Sequence, residues 1–200
     1  MCTQNIRIYL KDNCVPYRVS APHPIPLRFQ EPTASEITKY IASGIIVSCD
    51  EPSEWCFPAL FVPKSDGKRV RLVTDYTKLN QHVVRPVHPF PSVSDILQFI
   101  SASAACFAKL DATHGYFQIP LDEEASKLTT VILPSGRYRF LRAPMGLSSS
   151  SDKWCQHSDR VVEGFPGVAK LSMIFWFGVP IPSSLKLGLT ASLNVVSNFT

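Results

Sequence analysis

Apolar residues along the chain fall into short blocks whose period changes from helical to alternating and back. Between Thr33 and Gly44 the spacing is helical: Ile37, Tyr40 and Ile41 share a face, Thr33 and Glu36 stand as a capping box, and Gly44 can close the C-terminus. ALFVP and RVRLV are β-rich runs around Asp66-Gly67, which predicts a hairpin. PFPSVSDILQFI predicts a second helix, with Ser92 and Asp95 as caps and Ile96, Leu97, Phe99 and Ile100 behind them. CFAKLD then reads as a buried strand ending on an acid. A second hairpin is expected from KLTTVIL and RYRFL around Pro134-Ser135-Gly136. A third helix, from about Ser150 to Glu163, places Trp154, Ser158 and Val161 on one side. The first thirty or so residues, with prolines around APHPIPLRF, read as extended and poorly committed to structure. Helices mixed with hairpins, without regular β-α alternation, predict an α+β fold with an antiparallel sheet.

Composition narrows the class. Of 200 residues, 45% are hydrophobic and 18% charged, which fits a chain with a packed core and excludes a disordered one. Seventeen prolines against nine glycines suit many short elements joined by stiff turns. The net charge of +4 permits an anionic partner such as nucleic acid without demanding one. Cys2, Cys14, Cys49, Cys56, Cys106 and Cys155 form no C-x-x-C pair, which argues against zinc. No basic, apolar leader opens the chain, so the expectation is an intracellular protein, cytoplasmic or nuclear, with reduced thiols and no disulfide. The greasy stretch Leu171–Ile181 is eleven residues, interrupted by serine, glycine and proline; a membrane span needs about twenty.

Chemistry is carried by few residues. Asp111 follows an apolar strand and precedes the turn-prone ATHG, a place where a carboxylate can hold a hard cation or simply cap the turn. Lys64, Lys68, Arg69 and Arg71 crowd the tip and return strand of the first hairpin, a solvated face or a grip for phosphate. Arg137, Arg139 and Arg142 read as one solvated strand face, and Tyr116 as a possible core residue. His82, His88 and His114 lack partners at ligand spacing and take no chemical role. The glycosylation pattern Asn198-Phe199-Thr200 is accidental in a chain read as non-secreted.

In combination and in order, these segments carry a resemblance. GIIVSCDEPSEWCFPALFVPKSDGKRVRLVTDYTKLN, FPSVSDILQFISASAACFAKLDATHGYFQIPLDEEASKLTTVILPSGRYRFLRAPMGL and the helix after them resemble the reverse transcriptase of gypsy-type LTR retrotransposons, from about Pro22 to Leu171. The resemblance implies a right-hand polymerase fold, fingers plus part of the palm, without the thumb. The implied plan is a lead-in over 1–30, fingers and partial palm over 31–170, and a tail over 171–200 outside the resemblance. It implies template-directed DNA synthesis from dNTPs, a piece of a retrotransposon Pol polyprotein, magnesium as cofactor, and RNA or DNA template-primer as partner. Asp111 matches the first catalytic, magnesium-binding aspartate. Lys64 and Arg71 match residues that clamp the triphosphate, a role suited to an ammonium and a guanidinium fork. Ala112, Tyr116 and Met145 match positions at the nucleotide, with Tyr116 under the sugar. Asp75 and Asn80 match a fingers motif, structural and template-facing. Pro144 and Gly146 match the turn that contacts primer-template.

One element of the pattern is missing. The resemblance implies a later strand ending in two adjacent aspartates, as in L-V-D-D-I-L; here the place reads Leu171-Ser172-Met173-Ile174-Phe175-Trp176, and no acid follows Glu163. Suitable codons for L-V-D-D-I-L-V-W, with one base lost from the first, translate as L-S-M-I-F-W-F-G, the sequence of 171–178. The expectation is therefore a frameshift within the codon of Leu171 and a catalytically defective chain. The alternative expectation is a non-catalytic nucleic-acid-binding remnant or an inert pseudogene product.

Overall fold

A computed structural model describes residues 5–85, 88–89, 91–96, 98, 106–165, 168–171 and 173–179. They belong to two compact units. The first runs to His88 and resumes over His114–His157; the second comprises Pro89–Thr113 and the chain from Ser158 onward.

The first unit is built on a five-stranded sheet. Its strands are β1 (Ile46–Ser48), β2 (Phe57–Pro63), β3 (Val70–Thr74), β5 (Val131–Leu133) and β6 (Gly136–Phe140), in the order β1-β6-β5-β2-β3. All pairings here are antiparallel except β2 with β5, where Phe57 stands beside Val131. Side chains alternate in and out with the strand period: Phe57, Ala59, Val70, Leu72, Val131, Leu133 and Phe140 are buried. Phe57 is the hub, with Tyr76 edge-on at 5.0 Å, Tyr17 at 5.8 Å and Trp55 at 6.0 Å between ring centroids. Both predicted hairpins form, although Lys127 and Leu128 of the KLTTVIL run end a helix instead of opening a strand.

Helix α1 (Leu27–Ala42) corrects two expectations. It begins at Leu27, so Thr33 lies inside it and is no cap; its hydroxyl is buried without a partner. Pro32 sits within the helix as its sixth residue, where it has no N–H to give the Arg28 carbonyl. The buried face is Thr33, Ile37 and Tyr40, while Ile41 is exposed. Gly44 does end the helix, in the left-handed region at φ +62°. Two short helices follow in this unit. α2 (Thr77–Asn80) comes straight after β3; α3 (Glu123–Leu128) is capped by Asp122, whose Oδ1 accepts the Ala125 N–H at 2.7 Å.

The lead-in is not uncommitted. Ile6 bridges to Leu121, Leu10 to Val83 and Arg18 to Cys56, and Ile6 and Ile8 are buried. Backbone groups of an extended segment need partners, and loops distant in sequence supply them.

Helix α4 (Ser148–Val162) contributes its residues to His157 to the first unit and the rest to the second. Of the three residues placed on one side by the sequence, Trp154 and Ser158 are buried and Val161 is exposed. The second unit holds a three-stranded antiparallel sheet of β4 (Cys106–Asp111), β7 (Val168–Leu171) and β8 (Ile174–Val179), in the order β4-β8-β7. β4 is not the buried strand predicted: it lies at the edge of its sheet, and Ala108, Lys109 and Asp111 are exposed. Lys170 on β7 is buried, donates to Ser158 Oγ at 2.9 Å and pairs with Asp159. Ser92 and Asp95 cap the helical residues 93–96 reciprocally, as predicted, and Ile96 is buried. Leu97, Phe99 and Ile100 lie outside the described residues, as does the chain beyond Val179.

Helices and hairpins are mixed along the chain without regular β-α alternation, the α+β class predicted. No helix among the described residues is long and apolar enough to cross a membrane.

Candidate nucleotide and template site

The sequence-assigned residues divide between the units. Lys64, Arg71, Asp75, Asn80, Tyr116, Pro144, Met145 and Gly146 fall in the first; Asp111 and Ala112 fall in the second.

The β2–β3 hairpin sets the basic cluster. Asp66 closes its tip: Oδ1 accepts the backbone N–H groups of Lys68 at 3.0 Å and Arg69 at 2.9 Å, and Oδ2 accepts from Arg69 Nε at 2.5 Å. Those hydrogen bonds from Arg69 and Lys68 hold the Asp66 carboxyl well below the usual carboxylate range. The same contacts offset the Arg69 charge. Lys64 lies 3.9 Å from Glu36 of α1, so the lysine matched to the triphosphate clamp already has an acidic neighbour. Arg71 is exposed on β3, and neither it nor Lys68 is paired with an acid among the described residues.

TDYTKLN folds as a structural joint. Asp75 Oδ1 accepts the Thr77 N–H at 2.9 Å, and bonding at Thr77 lowers the Asp75 pKa. Tyr76 is buried, its hydroxyl donating to the Thr129 carbonyl at 3.1 Å. Asn80 reaches across to the second motif, donating to the Gly146 carbonyl at 2.8 Å and accepting the Ser148 N–H at 2.9 Å. In that motif Pro144 is buried and Met145 and Gly146 are exposed. Gly146 has φ +87°, and a Cβ there would stand 3.0 Å from the Thr74 carbonyl, so any side chain at this position is strained.

Tyr116 sits in a 3₁₀ turn, Gly115–Gln118, entered through His114 at a left-handed φ of +53°. It is half-buried rather than core. Its hydroxyl lies 3.1 Å from Ser151 Oγ, and its ring meets Trp154 edge-on at 6.5 Å. Beside them Asp152, 1% exposed, is gripped by Arg85 through two bonds of 3.0 and 2.9 Å. Sequence reasoning missed Ser151, Asp152 and Arg85, because no local pattern links residues so far apart. The strand arginines are not a freely solvated face: Arg137 donates to the Asp50 carbonyl at 2.7 Å and Arg139 lies 3.6 Å from Glu51.

In the second unit Asp111 ends β4, exposed, directly opposite Ile174, which in turn pairs with Leu171. The Ala112 N–H donates to the Met173 carbonyl at 2.9 Å, so that oxygen is already engaged. The residue in register with Asp111 is Ile174, preceded by Met173. Among the described residues no three His, Cys, Asp or Glu side chains gather as a metal site would require.

Comparison with known proteins gives a consistent answer. A sequence model described as "Reverse transcriptase (RNA-dependent DNA polymerase)" matches residues 62–176. The chain is 36% identical over 124 residues to the Retrovirus-related Pol polyprotein from transposon 412 of Drosophila melanogaster, covering 58% of this chain and 10% of that protein. It is 30% identical over 131 residues to the Pol polyprotein from transposon gypsy of the same organism, covering 64% and 13%. Against the Enzymatic polyprotein of Figwort mosaic virus the values are 26% over 138 residues, 68% and 20%. The chain thus spans a fifth or less of these relatives' length. Among solved structures, Prototype Foamy Virus Protease-Reverse Transcriptase superposes with a TM-score of 0.75 at 21% identity, over 88% of this chain and 23% of that one. The foamy viral enzyme in complex with RNA/DNA hybrid gives 0.70 at 17%, with the same coverage.

Proposed function

This chain belongs to the reverse transcriptase (RNA-dependent DNA polymerase) family, and from that premise we propose that it is a catalytically defective reverse transcriptase domain of a retroelement Pol polyprotein. In the family's reaction a primer hydroxyl attacks the α-phosphate of a dNTP, and two divalent ions supply charge stabilisation and activate the hydroxyl. The residues present here do not fit that pair. The observation that carries the reading is the register of Asp111: its opposite number is Ile174, beside Met173, and no acid follows Glu163 in the whole sequence. One exposed carboxylate among apolar neighbours cannot neutralise two dications.

The tail from Leu171 is read as translation out of frame, motivated by the abrupt loss of acids there. Genomic DNA tests this directly: one base restored in the Leu171 codon must yield two adjacent aspartates. The activity test is primer extension on a primed RNA template with magnesium. No incorporation above background is expected; incorporation that disappears in Asp111→Ala would overturn the proposal.

A second reading, nucleic-acid binding without catalysis, is favoured by Lys68 and Arg71, the hairpin cations with no acidic partner among the described residues. It is supported also by the solved relatives, of which several hold double-stranded DNA or RNA/DNA hybrid. The chain's exposed Met145 turn would lie along the duplex and Tyr116 would face the sugar of a nucleotide. Binding to an RNA–DNA duplex should weaken with salt, and Lys68→Ala with Arg71→Ala should reduce the log–log slope by about 2. A slope near zero in the unmodified chain leaves only an inert product.

A further inference from the structure

TDYTKLN and PMGLS, far apart in sequence, are built into each other within the first unit. The single side chain of Asn80 satisfies the carbonyl of Gly146 and the N–H of Ser148, at 2.8 and 2.9 Å, and so brackets Leu147 between its two bonds. Leu147 and Ala143 are buried while Met145, between them, is 44% exposed. The turn is also pressed against the end of β3, where Gly146 leaves no room for a Cβ beneath the Thr74 carbonyl. The two residues that follow Asn80 are tied to the N-terminal segment: the Lys11 backbone N–H donates to the His82 carbonyl and Lys11 Nζ to the Gln81 carbonyl, each at 2.8 Å. Just upstream, Asp75 caps Thr77 and so starts the helical turn that delivers Asn80.

This joint has a polarity that packing alone does not require. An amide offers one donor and one acceptor on the same rigid plane, the combination needed to bond a carbonyl and an N–H two residues apart; a carboxylate offers no donor. Every backbone tie falls on the base of the turn, and its tip faces solvent.

We propose that Asn80 is a positioning residue that presents the Met145 tip to a nucleic-acid duplex, with Lys11 bracing it from the N-terminal segment. The proposal rests on the nucleic-acid reading above. It assigns Asn80 no contact of its own with the ligand. Affinity should depend on Asn80 through the order of the turn.

The test uses the full chain, a fluorescent RNA–DNA duplex read by anisotropy, and amide hydrogen exchange at Ser148. Asn80→Ala should expose the Ser148 amide and weaken duplex binding about fivefold, the effect of a lost hydrogen-bond tie. Asn80→Asp keeps the acceptor for Ser148 and should retain its protection while losing part of the affinity. Met145→Ala should keep the protection and lose affinity. Should Asn80→Ala not fold, Asn80→Asp and Met145→Ala carry the test. Loss of Ser148 protection with affinity unchanged, or full affinity in both Asn80→Asp and Met145→Ala, would overturn the proposal. If the unmodified chain binds no duplex, the nucleic-acid reading fails and takes the proposal with it, a result told apart by that titration alone.

Discussion

Tyr40 shows how burial and charge meet in one side chain. It is 6% exposed on the inner face of α1, and burial first, then the charge of Glu36, raises its phenol pKa to about 12 from the ordinary 10.0. Folding therefore favours the protonated phenol. That contribution is complete below pH 10 and is lost as pH rises from 10 toward 12, on the order of 2 kcal/mol. Denaturant titrations of the unmodified chain and Tyr40→Phe should show a smaller alkaline loss in the variant; equal losses would remove Tyr40 from the account. Asp152 solves the same problem differently. Its side chain is 1% exposed, and both carboxylate oxygens accept hydrogen bonds from the Arg85 guanidinium, so removing Arg85 would leave a buried carboxyl without that partner.

At the scale of elements, the β2–β3 hairpin owes its shape to Asp66. Three donors converge on that carboxylate, and Gly67 supplies the left-handed φ of +65° that completes the tip. Asp66→Ala should speed amide exchange at Lys68 and Arg69 by about tenfold, the mark of lost hydrogen bonds, while the strand amides Val70–Thr74 stay protected. If the tip amides exchange as before, the turn is held by Gly67 and the strand pairing alone. This hairpin was readable in advance because a D-G turn between alternating runs is a local signal. The start of α1 was not: Thr33 and Glu36 imitate a cap, while Pro26, the residue at the true N-terminus, makes no side-chain cap that would mark Leu27 as the first helical residue. Helix α3 carried a legible signal that went unused, since Asp122 caps it, Glu123 and Glu124 fill its first turn and Lys127 its last.

At the scale of the molecule, the proposed defect falls on the β7–β8 hairpin. Asp111 pairs with Ile174 and Ala112 bonds to Met173, so residues 173 and 174 are the positions adjacent to the Asp111 carboxylate. Met173→Asp with Ile174→Asp should confer manganese binding measurable by calorimetry or electron paramagnetic resonance, and a third change, Asp111→Ala, should abolish it. Absence of binding in the double variant would mean that this hairpin does not align carboxylates with Asp111.

By itself the sequence determined the hairpins, the Ser92–Asp95 cap, the family and the absence of acids after Glu163, because each is written in neighbouring residues or in the identity of single ones. Only the tertiary structure decided which polar groups are spent. Lys64 lies beside Glu36, Asn80 spans Gly146 and Ser148, Arg85 holds Asp152, and the lead-in is pinned through Ile6. Those partners are separated along the chain by tens of residues. A buried donor or acceptor must be satisfied by whatever the fold brings within about 3 Å, and no local periodicity encodes that choice.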